Sequence, residues 1–323
     1  MGYMEEILEP LCNNNGNFNV ALGCLLLYCV WPGRFAAYYS YIEGGRIYDF
    51  LAPEISRNIS LQQVDDCEYL DVIEENTFLY TKTYREKIFE SQDIRVGGEY
   101  YPEECRPRFS SAIVIPYRQR EQQLNQFLIY MHNFLRKQRI HYRIFLIEQY
   151  DRKPFNRAKL LNIGSVIAAE HEFPCLILHD VDLMPLNLGQ IYACTQQPRH
   201  MSSSLDSFRF NLPYEGLFGG AIAIRTEQFR FVNGMSNMFH GWGGEDDDFY
   251  GRLLAKNIGI CRFEPEYSRY TMLSHTKEPP NSDRMVFLRN GPLRYHSDGL
   301  NSLVYTQKGL RLHSLFTHIL VET

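Results

Sequence analysis

The sequence has no block of lysine or arginine residues, and its 38 acidic residues outnumber its 33 basic ones. Proteins that bind nucleic acid usually present a basic face, so the net charge of −5 argues against nucleic acid as a partner. From Ser110 onward there is also no internal repeat or low-complexity tract. With 45% hydrophobic residues, the 323-residue chain can bury the core of one large domain or two small ones. We therefore expect a globular protein with a small, localised ligand.

The amino-terminal part lacks an uninterrupted apolar run of the about 20 residues that a membrane span requires. Residues 18–42 carry one charge, Arg34, but Pro32 and Gly33 interrupt them. We interpret 18–42 as a candidate membrane anchor that follows a short tail, residues 1–17. A signal peptide or a buried amino-terminal segment is the alternative. Basic residues follow the segment and none precedes it, so the positive-inside rule places the amino terminus outside.

Two features depend on the cellular compartment. Asn58 begins an N-x-S sequon, which has meaning only if this part of the chain enters the secretory pathway. Of eight cysteines, three lie in or near the apolar segment and five follow it: Cys67, Cys105, Cys175, Cys194 and Cys261. Two disulfides and one buried thiol would fit an oxidising lumen, whereas five free thiols would fit the cytosol. Their spacing alone does not choose between these states.

From Ser110 the sequence alternates short apolar runs with amphipathic segments. SAIVIPY (111–117), YRIFLIEQ (142–149) and CLILHDVD are typical of buried strands. The first intervening segment places its apolar residues on one helical face: Leu124, Phe127, Leu128, Met131, Phe134 and Leu135. This βαβαβ pattern predicts a sheet with helices on both sides and ligands at the carboxyl ends of the strands.

Polar residues follow each predicted strand. Arginines come after the first two strands, and the third ends in Asp180 and Asp182. If this last segment is extended, both carboxylates project to one side and need a metal or arginines to neutralise them. Guanidinium groups suit phosphate, so the pattern favours a divalent cation bound to a diphosphate over an exposed acidic loop. Taken alone, Met272 is typical of a core residue and His275 of a polar residue with a hydrogen-bond partner. Together with Asp182, the two side chains would form a site suited to manganese.

HGWGGEDDDFYGRL (240–253) places four consecutive acids after a glycine-rich run. The following residues predict a helix, whose first turn favours carboxylates, and Asp248 and Arg252 are spaced to pair. The simplest interpretation of Asp247 or Asp248 is that its carboxylate only stabilises the start of the helix. A tryptophan between flexible glycines suits a lid that excludes water.

Several of these motifs together resemble the β1,4-galactosyltransferase family, and its invertebrate-type β1,4-N-acetylgalactosaminyltransferase branch in particular. The motifs are FNRAKLLNIG, HDVDLMP, FGG (218–220), NGMSN (233–237), GWGGEDDD and SDGLNSL. The resemblance covers about residues 105–323, the expected catalytic domain, and leaves 43–104 as a stem and amino-terminal part of the luminal region. It implies a GT-A-type α/β fold with a mostly parallel central sheet flanked by helices. It also implies a Golgi type II membrane protein with a luminal catalytic domain, which conflicts with the charge-based topology.

The resemblance assigns roles position by position. It implies that Asp182, Met272 and His275 bind Mn²⁺. Contacts to the nucleotide sugar are implied for Pro116, Tyr117, Arg118, Arg120, Phe155, Arg157, Asp180, Val181, Leu217 and Trp242. Contacts to the acceptor are implied for Gly244, Glu245, Asp246, Arg284, Met285 and Leu288. Asp246 is the expected general base, with Glu245 and Trp242 as further catalytic residues. Cys175 and Cys194 match one family disulfide, and Cys105 matches half of another, for which Cys67 is the expected partner.

Leu217 bears on the donor sugar, because galactose-specific members carry a tyrosine at this position. Leucine leaves room for an N-acetyl group, and members with an aliphatic residue here transfer N-acetylgalactosamine. We expect UDP-GalNAc as donor and terminal β-N-acetylglucosamine, on glycoprotein or glycolipid, as acceptor. One alternative is that the donor is UDP-galactose. The other is that the chain is a catalytically silent sugar-binding or scaffold protein. Whether the chain forms a homodimer or needs an accessory protein is left open by the sequence.

Overall fold

The computed structural model describes residues 37–57, 64–74, 93–275 and 279–323, together with Gly23. In chain order the strands are β1 (Glu99–Tyr100), β2 (Ser110–Tyr117), β3 (His141–Gln149), β4 (Cys175–His179), β5 (Leu183–Pro185), β6 (Arg199–His200), β7 (Ser204–Leu205), β8 (Ala221–Arg225), β9 (Arg269–Met272), β10 (Thr306–Leu312) and β11 (Thr317–Glu322). The α-helices are α1 (Ile47–Phe50), α2 (Leu70–Glu74), α3 (Glu121–Arg136), α4 (Arg157–Glu170), α5 (Thr226–Phe231), α6 (Glu245–Ala255) and α7 (Arg284–Arg294).

The main sheet has the order β10-β11-β3-β2-β4-β8-β6, and β1 pairs with β3 beside this path. Its four central strands, β11, β3, β2 and β4, are parallel. Three of them, β2, β3 and β4, are the strands that the sequence predicts. The outer pairs β10–β11, β4–β8 and β8–β6 are antiparallel, so the predicted parallel arrangement is confined to the centre. A long connection follows the carboxyl end of β4. It leads into β8 from the same edge of the sheet, so β8 runs in the opposite direction to β4.

Helices cover both faces of the sheet. Successive residues of β2 point to opposite sides, and because all of them are buried, both faces need cover. Ile113 and Ile115 share one core with α3, whereas Ala112 and Val114 share another with α4. All six apolar residues predicted for the inner face of α3 are buried. α4 lies very close to the sheet, since a Cβ atom added to Gly164 would be 2.2 Å from Val114 Cγ1.

The described residues before position 105 pack into the same core as the rest of the chain. Ile47, Leu51 and Tyr69 are buried in the cluster that contains α3. A Cys67–Cys105 disulfide joins this part to the start of the sheet, and Cys175–Cys194 closes the loop that leaves β4. These are the pairs that the resemblance implies. Within the described residues, position 105 therefore does not separate two packing units.

Some predictions fall on residues outside the described ranges. Asn58 and most of the candidate anchor, residues 18–42, are among them. In the part of the chain that the structure describes, no helix has both the length and the apolar character needed to cross a membrane.

Candidate active site

The carboxyl ends of β2, β3 and β4 lie at one edge of the sheet, because the three strands are parallel and in register. β8 runs the other way, with Ala221 paired to His179, so the residues that precede β8 reach the same edge. The segments that follow β2, β3 and β4 therefore meet the segment that precedes β8. Most of the residues expected to contact the nucleotide sugar lie on these four segments.

The segments after β2 and β3 contribute an arginine–aromatic group. The Arg118 guanidinium lies 5.2 Å from the centre of the Phe155 ring, and its Nη1 donates to the Lys153 carbonyl at 2.7 Å. Pro116 and Tyr117, at the end of β2, are buried. This combination of an apolar surface and a guanidinium is suited to a planar base next to a phosphate.

Arg157 connects two groups of acids across the edge of the sheet. Its Nε donates to Asp180 Oδ1 at 2.6 Å, and its Nη1 lies 3.7 Å from Glu245 Oε1. Its side chain is only 13% exposed. Although burial opposes it, the charges of Asp180 and Glu245 raise the pKa of Arg157, so the guanidinium stays protonated. Arg157 thus joins the end of β4 to the first turn of α6.

The two aspartates after β4 do not lie on an extended segment, so that prediction is wrong. The Leu183 N–H donates to the Asp180 carbonyl at 3.3 Å, which closes a turn over residues 180–183. In this turn Asp180 pairs with Arg157, whereas Asp182 lies 2.7 Å, Oδ2 to Nδ1, from His275. The two carboxylates therefore have separate partners.

Asp182, Met272 and His275 converge through a second, three-stranded sheet with the order β5-β9-β7. Met272 is the register partner of Leu183, and the Leu273 N–H donates to the Asp182 carbonyl at 2.8 Å. Burial, followed by the Asp180 charge, raises the pKa of Asp182 to about 6. Both causes destabilise the ionised carboxylate, which a bound cation would stabilise.

A carboxylate, an imidazole and a thioether fit a borderline transition metal such as Mn²⁺. Within the described ranges, His, Cys, Asp and Glu form no group of three or more that could hold a metal ion. Asp182 and His275 supply two ligands of these types, and the thioether of Met272 would be the third ligand. The residues present thus fit the group that the resemblance implies.

The glycine-rich segment before α6 contacts both sides of the edge. The Gly241 N–H donates to the Phe155 carbonyl at 2.7 Å, and Trp242 pairs through its main chain with residues 279–281. Trp242 is 56% exposed, and the Arg284 guanidinium lies 5.3 Å from the centre of its ring. Gly241, Gly243 and Gly244 all have φ between 77° and 101°, a region that favours glycine.

The four consecutive acids occupy the first turn of α6, as the sequence predicts, but their contacts differ. Glu245 Oε2 is buried and has no hydrogen-bond partner among the described residues. Asp246 Oδ1 accepts from the Asp247 N–H at 3.0 Å. Asp247 Oδ1 accepts from the Tyr214 hydroxyl at 2.8 Å. Asp248 is buried, and its Oδ2 accepts from Arg252 Nε at 2.7 Å.

Gly219 allows the segment before β8 to approach Asp246. A Cβ atom at this position would lie 2.7 Å from Asp246 Oδ2. Leu217, two residues earlier, is partly buried, and its carbonyl accepts from Arg262 Nη2 at 3.0 Å. The candidate base and the residue expected to select the donor therefore belong to one local structure.

Tyr214 and Arg262 belong to this site although no motif in the sequence selects them. Tyr214 lies against the first turn of α6, and Arg262 holds the carbonyls of Glu215 and Leu217. Both act through contacts between distant parts of the chain, which no local spacing indicates. Of the three residues expected at the acceptor N-acetyl group, Arg284 lies against Trp242, whereas Met285 is 61% exposed on α7 and Leu288 is partly buried.

Two family profiles match the chain in succession. One is described as the N-terminal region of glycosyl transferase group 7 and matches residues 70–195. The other is described as the N-terminal domain of galactosyltransferase and matches residues 199–276. Together they cover the segments that converge at the edge of the sheet, from the end of β2 to His275.

Similar proteins and structures carry related names. Beta-1,4-galactosyltransferase 2 of Homo sapiens is 38% identical over 238 residues, which are 72% of this chain and 64% of that protein. Beta-1,4-galactosyltransferase 4 of Cricetulus griseus is 41% identical over 230 residues, 70% and 67% of the two chains. The catalytic domain of Drosophila beta1,4galactosyltransferase 7 in complex with xylobiose superposes with a TM-score of 0.58 at 28% identity, covering 66% of this chain and 93% of that one. A mutant of that enzyme in complex with manganese, UDP-Gal and xylobiose gives 0.56 at 27% identity, with the same coverage.

Proposed function

Because the chain belongs to the β1,4-galactosyltransferase family of group 7 glycosyltransferases, we propose that it is an inverting, manganese-dependent glycosyltransferase. The proposed reaction moves N-acetylgalactosamine from UDP-GalNAc to O4 of a terminal β-N-acetylglucosamine on a glycoprotein or glycolipid. The observation that carries this proposal is the pairing of Arg157 with Asp180 on one side and Glu245 on the other. This pairing supports the proposal, because the strand ends expected to bind the diphosphate then lie next to a buried acidic helix start, as transfer between two sugars requires.

Asp246 would act as the general base. Its carboxylate accepts the proton of the acceptor O4 hydroxyl while that oxygen attacks the anomeric carbon of the donor. The bond between the anomeric carbon and the diphosphate oxygen breaks on the opposite face, and the leaving UDP takes the electron pair. The new bond therefore has the inverted, β configuration.

The leaving diphosphate gains negative charge, which positive groups at the strand ends would stabilise. Arg118, Arg120 and Arg157 supply cationic side chains there. Asp182, Met272 and His275 would hold Mn²⁺, which, when bound, acts as a Lewis acid toward the phosphate oxygens. Trp242, on its flexible glycines, would cover the donor sugar and exclude water that could otherwise hydrolyse it.

Leu217→Tyr is expected to change the preferred donor from UDP-GalNAc to UDP-galactose, by about tenfold or more in the ratio of kcat/KM values. A tyrosine ring would crowd the N-acetyl group, while the hydrogen bonds of Leu217 with Arg262 and Tyr214 use main-chain atoms that this change keeps. The test compares both donors with an N-acetylglucosamine acceptor and Mn²⁺, using the purified full-length protein. Leu217→Met, which keeps an aliphatic side chain of similar volume, is the matched control.

The outcomes of this experiment separate the candidate functions. A preference of the unchanged protein for UDP-galactose would make it a β1,4-galactosyltransferase, as the names of its relatives favour, and would reduce Leu217 to a packing residue. Activity that survives full chelation of divalent metal would contradict the metal assignment. No transfer from either donor, despite UDP binding, would favour the silent sugar-binding protein.

The transfer rate is expected to depend on pH through the acids of α6. Burial, with the Asp247 charge next, raises the pKa of Asp246, and burial with the Asp246 charge raises the pKa of Glu245 to about 7. A base must be ionised to accept a proton, so kcat/KM should fall as the pH decreases through the raised pKa of Asp246. Asp247→Asn removes one charge that raises the Asp246 pKa and should move this acidic limb to lower pH. A limb that stays in place in this variant would count against Asp246 as the titrating base.

We also propose that the catalytic domain folds in an oxidising lumen, with the Golgi as the expected location. Two disulfides among the described residues support this compartment over the cytosol. The membrane anchor at 18–42, the type II topology and glycosylation of Asn58 stay predictions.

A further inference from the structure

A buried chain of hydrogen bonds extends between the two chain segments that carry the proposed metal ligands. Tyr270, Tyr192 and His179 are all fully buried. The Tyr270 and Tyr192 hydroxyls are 3.0 Å apart, and the Tyr192 hydroxyl is 2.8 Å from His179 Nε2. His179 Nδ1 is 2.8 Å from the Asp180 carbonyl. Three side chains and one main-chain oxygen thus form a continuous path.

The direction of each hydrogen bond in this path is fixed by chemistry. A carbonyl oxygen only accepts, so His179 Nδ1 carries the proton and donates to Asp180. Burial lowers the pKa of His179 to about 4, so the ring is neutral near pH 7 and its Nε2 accepts from the Tyr192 hydroxyl. The Tyr192 oxygen then accepts from the Tyr270 hydroxyl. With these directions, each hydrogen bond of the path has one donor and one acceptor.

The two ends of the path reach the two chain segments that carry the proposed metal ligands. At one end, the Asp180 carbonyl closes the turn that presents Asp182, because it also accepts from the Leu183 N–H. At the other end, Tyr270 lies on β9, two residues before Met272. β5 and β9 also pair directly, with Pro185 opposite Tyr270 and Leu183 opposite Met272. The path therefore adds a side-chain link to the main-chain pairing of the two segments.

We propose that His179, Tyr192 and Tyr270 are positioning residues that hold the turn of Asp182 and the strand of Met272 at the spacing a divalent cation requires. This inference rests on the proposed function, because it takes Asp182, Met272 and His275 as the ligands. Removal of a group that orients a metal ligand typically lowers the metal affinity by about 10–100-fold. Tyr192 is the central member, since its hydroxyl makes both of the internal hydrogen bonds.

The protein contains a similar path that serves as a matched control. The Tyr142 hydroxyl lies 2.8 Å from His132 Nδ1, and His132 Nε2 lies 2.7 Å from the Leu315 carbonyl. Tyr142 and His132 are fully buried, and burial lowers the pKa of His132 to about 4 as well. Tyr142 pairs with Ser111 at the amino ends of β3 and β2, away from the strand ends that carry the site. Tyr142→Phe therefore removes a comparable buried hydroxyl without touching the metal segments.

The experiment measures the dissociation constant of Mn²⁺ alone by electron paramagnetic resonance of the free ion, together with the Tm of each metal-free protein. Tyr192→Phe is expected to raise the Kd for Mn²⁺ by about tenfold. Tyr142→Phe should leave this Kd within about twofold of the original while lowering the Tm, because only the first path reaches the ligands. In transfer assays, Tyr192→Phe should raise the KM for Mn²⁺ more than it lowers kcat at saturating Mn²⁺.

Three results would overturn the inference in distinguishable ways. Equal Mn²⁺ affinity of Tyr192→Phe and the unchanged protein would reduce the path to ordinary core packing, with the proposed function intact. An equal loss of affinity in Tyr142→Phe would mean that general destabilisation, and not positioning, is the cause. Absence of Mn²⁺ binding by the unchanged protein would overturn the metal assignment and the inference with it. If Tyr192→Phe does not fold, Tyr270→Phe keeps the Tyr192–His179 bond and should show a smaller rise in Kd.

Discussion

Replacing Asp246 with Asn is expected to lower kcat by about 10²–10⁴-fold, the contribution typical of a positioned general base. An amide has nearly the same shape as the carboxylate but cannot accept the proton of the acceptor hydroxyl. The Asn side chain can keep the hydrogen bond from the Asp247 N–H, and it fits the same space beside Gly219. Binding of UDP should change little, because the strand ends that we propose as its binding site are not altered. The measurement is kcat at saturating donor and acceptor, with the Kd for UDP determined separately.

Asp247→Asn is the matched control for this experiment. Asp247 is the next residue of the same helical turn, and its contact with the Tyr214 hydroxyl can be made equally well by an amide oxygen. This variant should keep most of its turnover near neutral pH. Full activity of Asp246→Asn would exclude Asp246 as the base. Loss of activity in both variants would point to a disturbed helix start instead.

The elements that position this site follow from local sequence patterns. β2 and β3 are continuous apolar segments, and each begins within one residue of its predicted start and ends at its predicted end. α3 is an amphipathic segment that buries the apolar face predicted for it. Parallel order at the centre of the sheet follows from the βαβαβ pattern, because each crossover helix returns the chain to the same edge. The convergence of the strand ends is therefore a consequence of local patterns alone.

Contacts between distant segments could not be obtained in this way. The bridge from Arg157 to Glu245 joins α4 to α6, and no spacing in the sequence relates the two. The separation of Asp180 from Asp182 depends on a turn that alternating apolar residues do not indicate. The antiparallel return of β8 depends on the long excursion before it, whose residues include Tyr214 and Leu217. Each of these features is decided by tertiary packing and not by local propensity.

Asp248 illustrates this limit, because the sequence predicts its pair with Arg252 but not its environment. Both side chains are at most 1% exposed, and Arg252 also donates to the Asp298 carbonyl at 2.6 Å. Asp298 Oδ1 in turn accepts from the Asn237 N–H, so the pair connects α6 with the NGMSN and SDGLNSL motifs. An acid that resembles three other helix-start residues in the sequence is in fact the centre of a buried ionic network.

Asp248→Ala is therefore expected to lower the free energy of unfolding by about 3 kcal/mol, the lower end of the range for breaking a buried ion pair. The lower end applies for two reasons: burial raises the pKa of Asp248, which shows that its charge is costly, and Arg252 retains Asp298 as a partner. The measurement is chemical denaturation under non-reducing conditions, with Asp247→Ala as the control on the more exposed side of the turn, where about 0.5 kcal/mol or less is expected. The double variant Asp248→Leu, Arg252→Met should lose less than the sum of the two single variants, since it leaves no unpaired buried charge. Additive losses would instead mean that the two side chains stabilise the fold independently, through packing and not through their pairing.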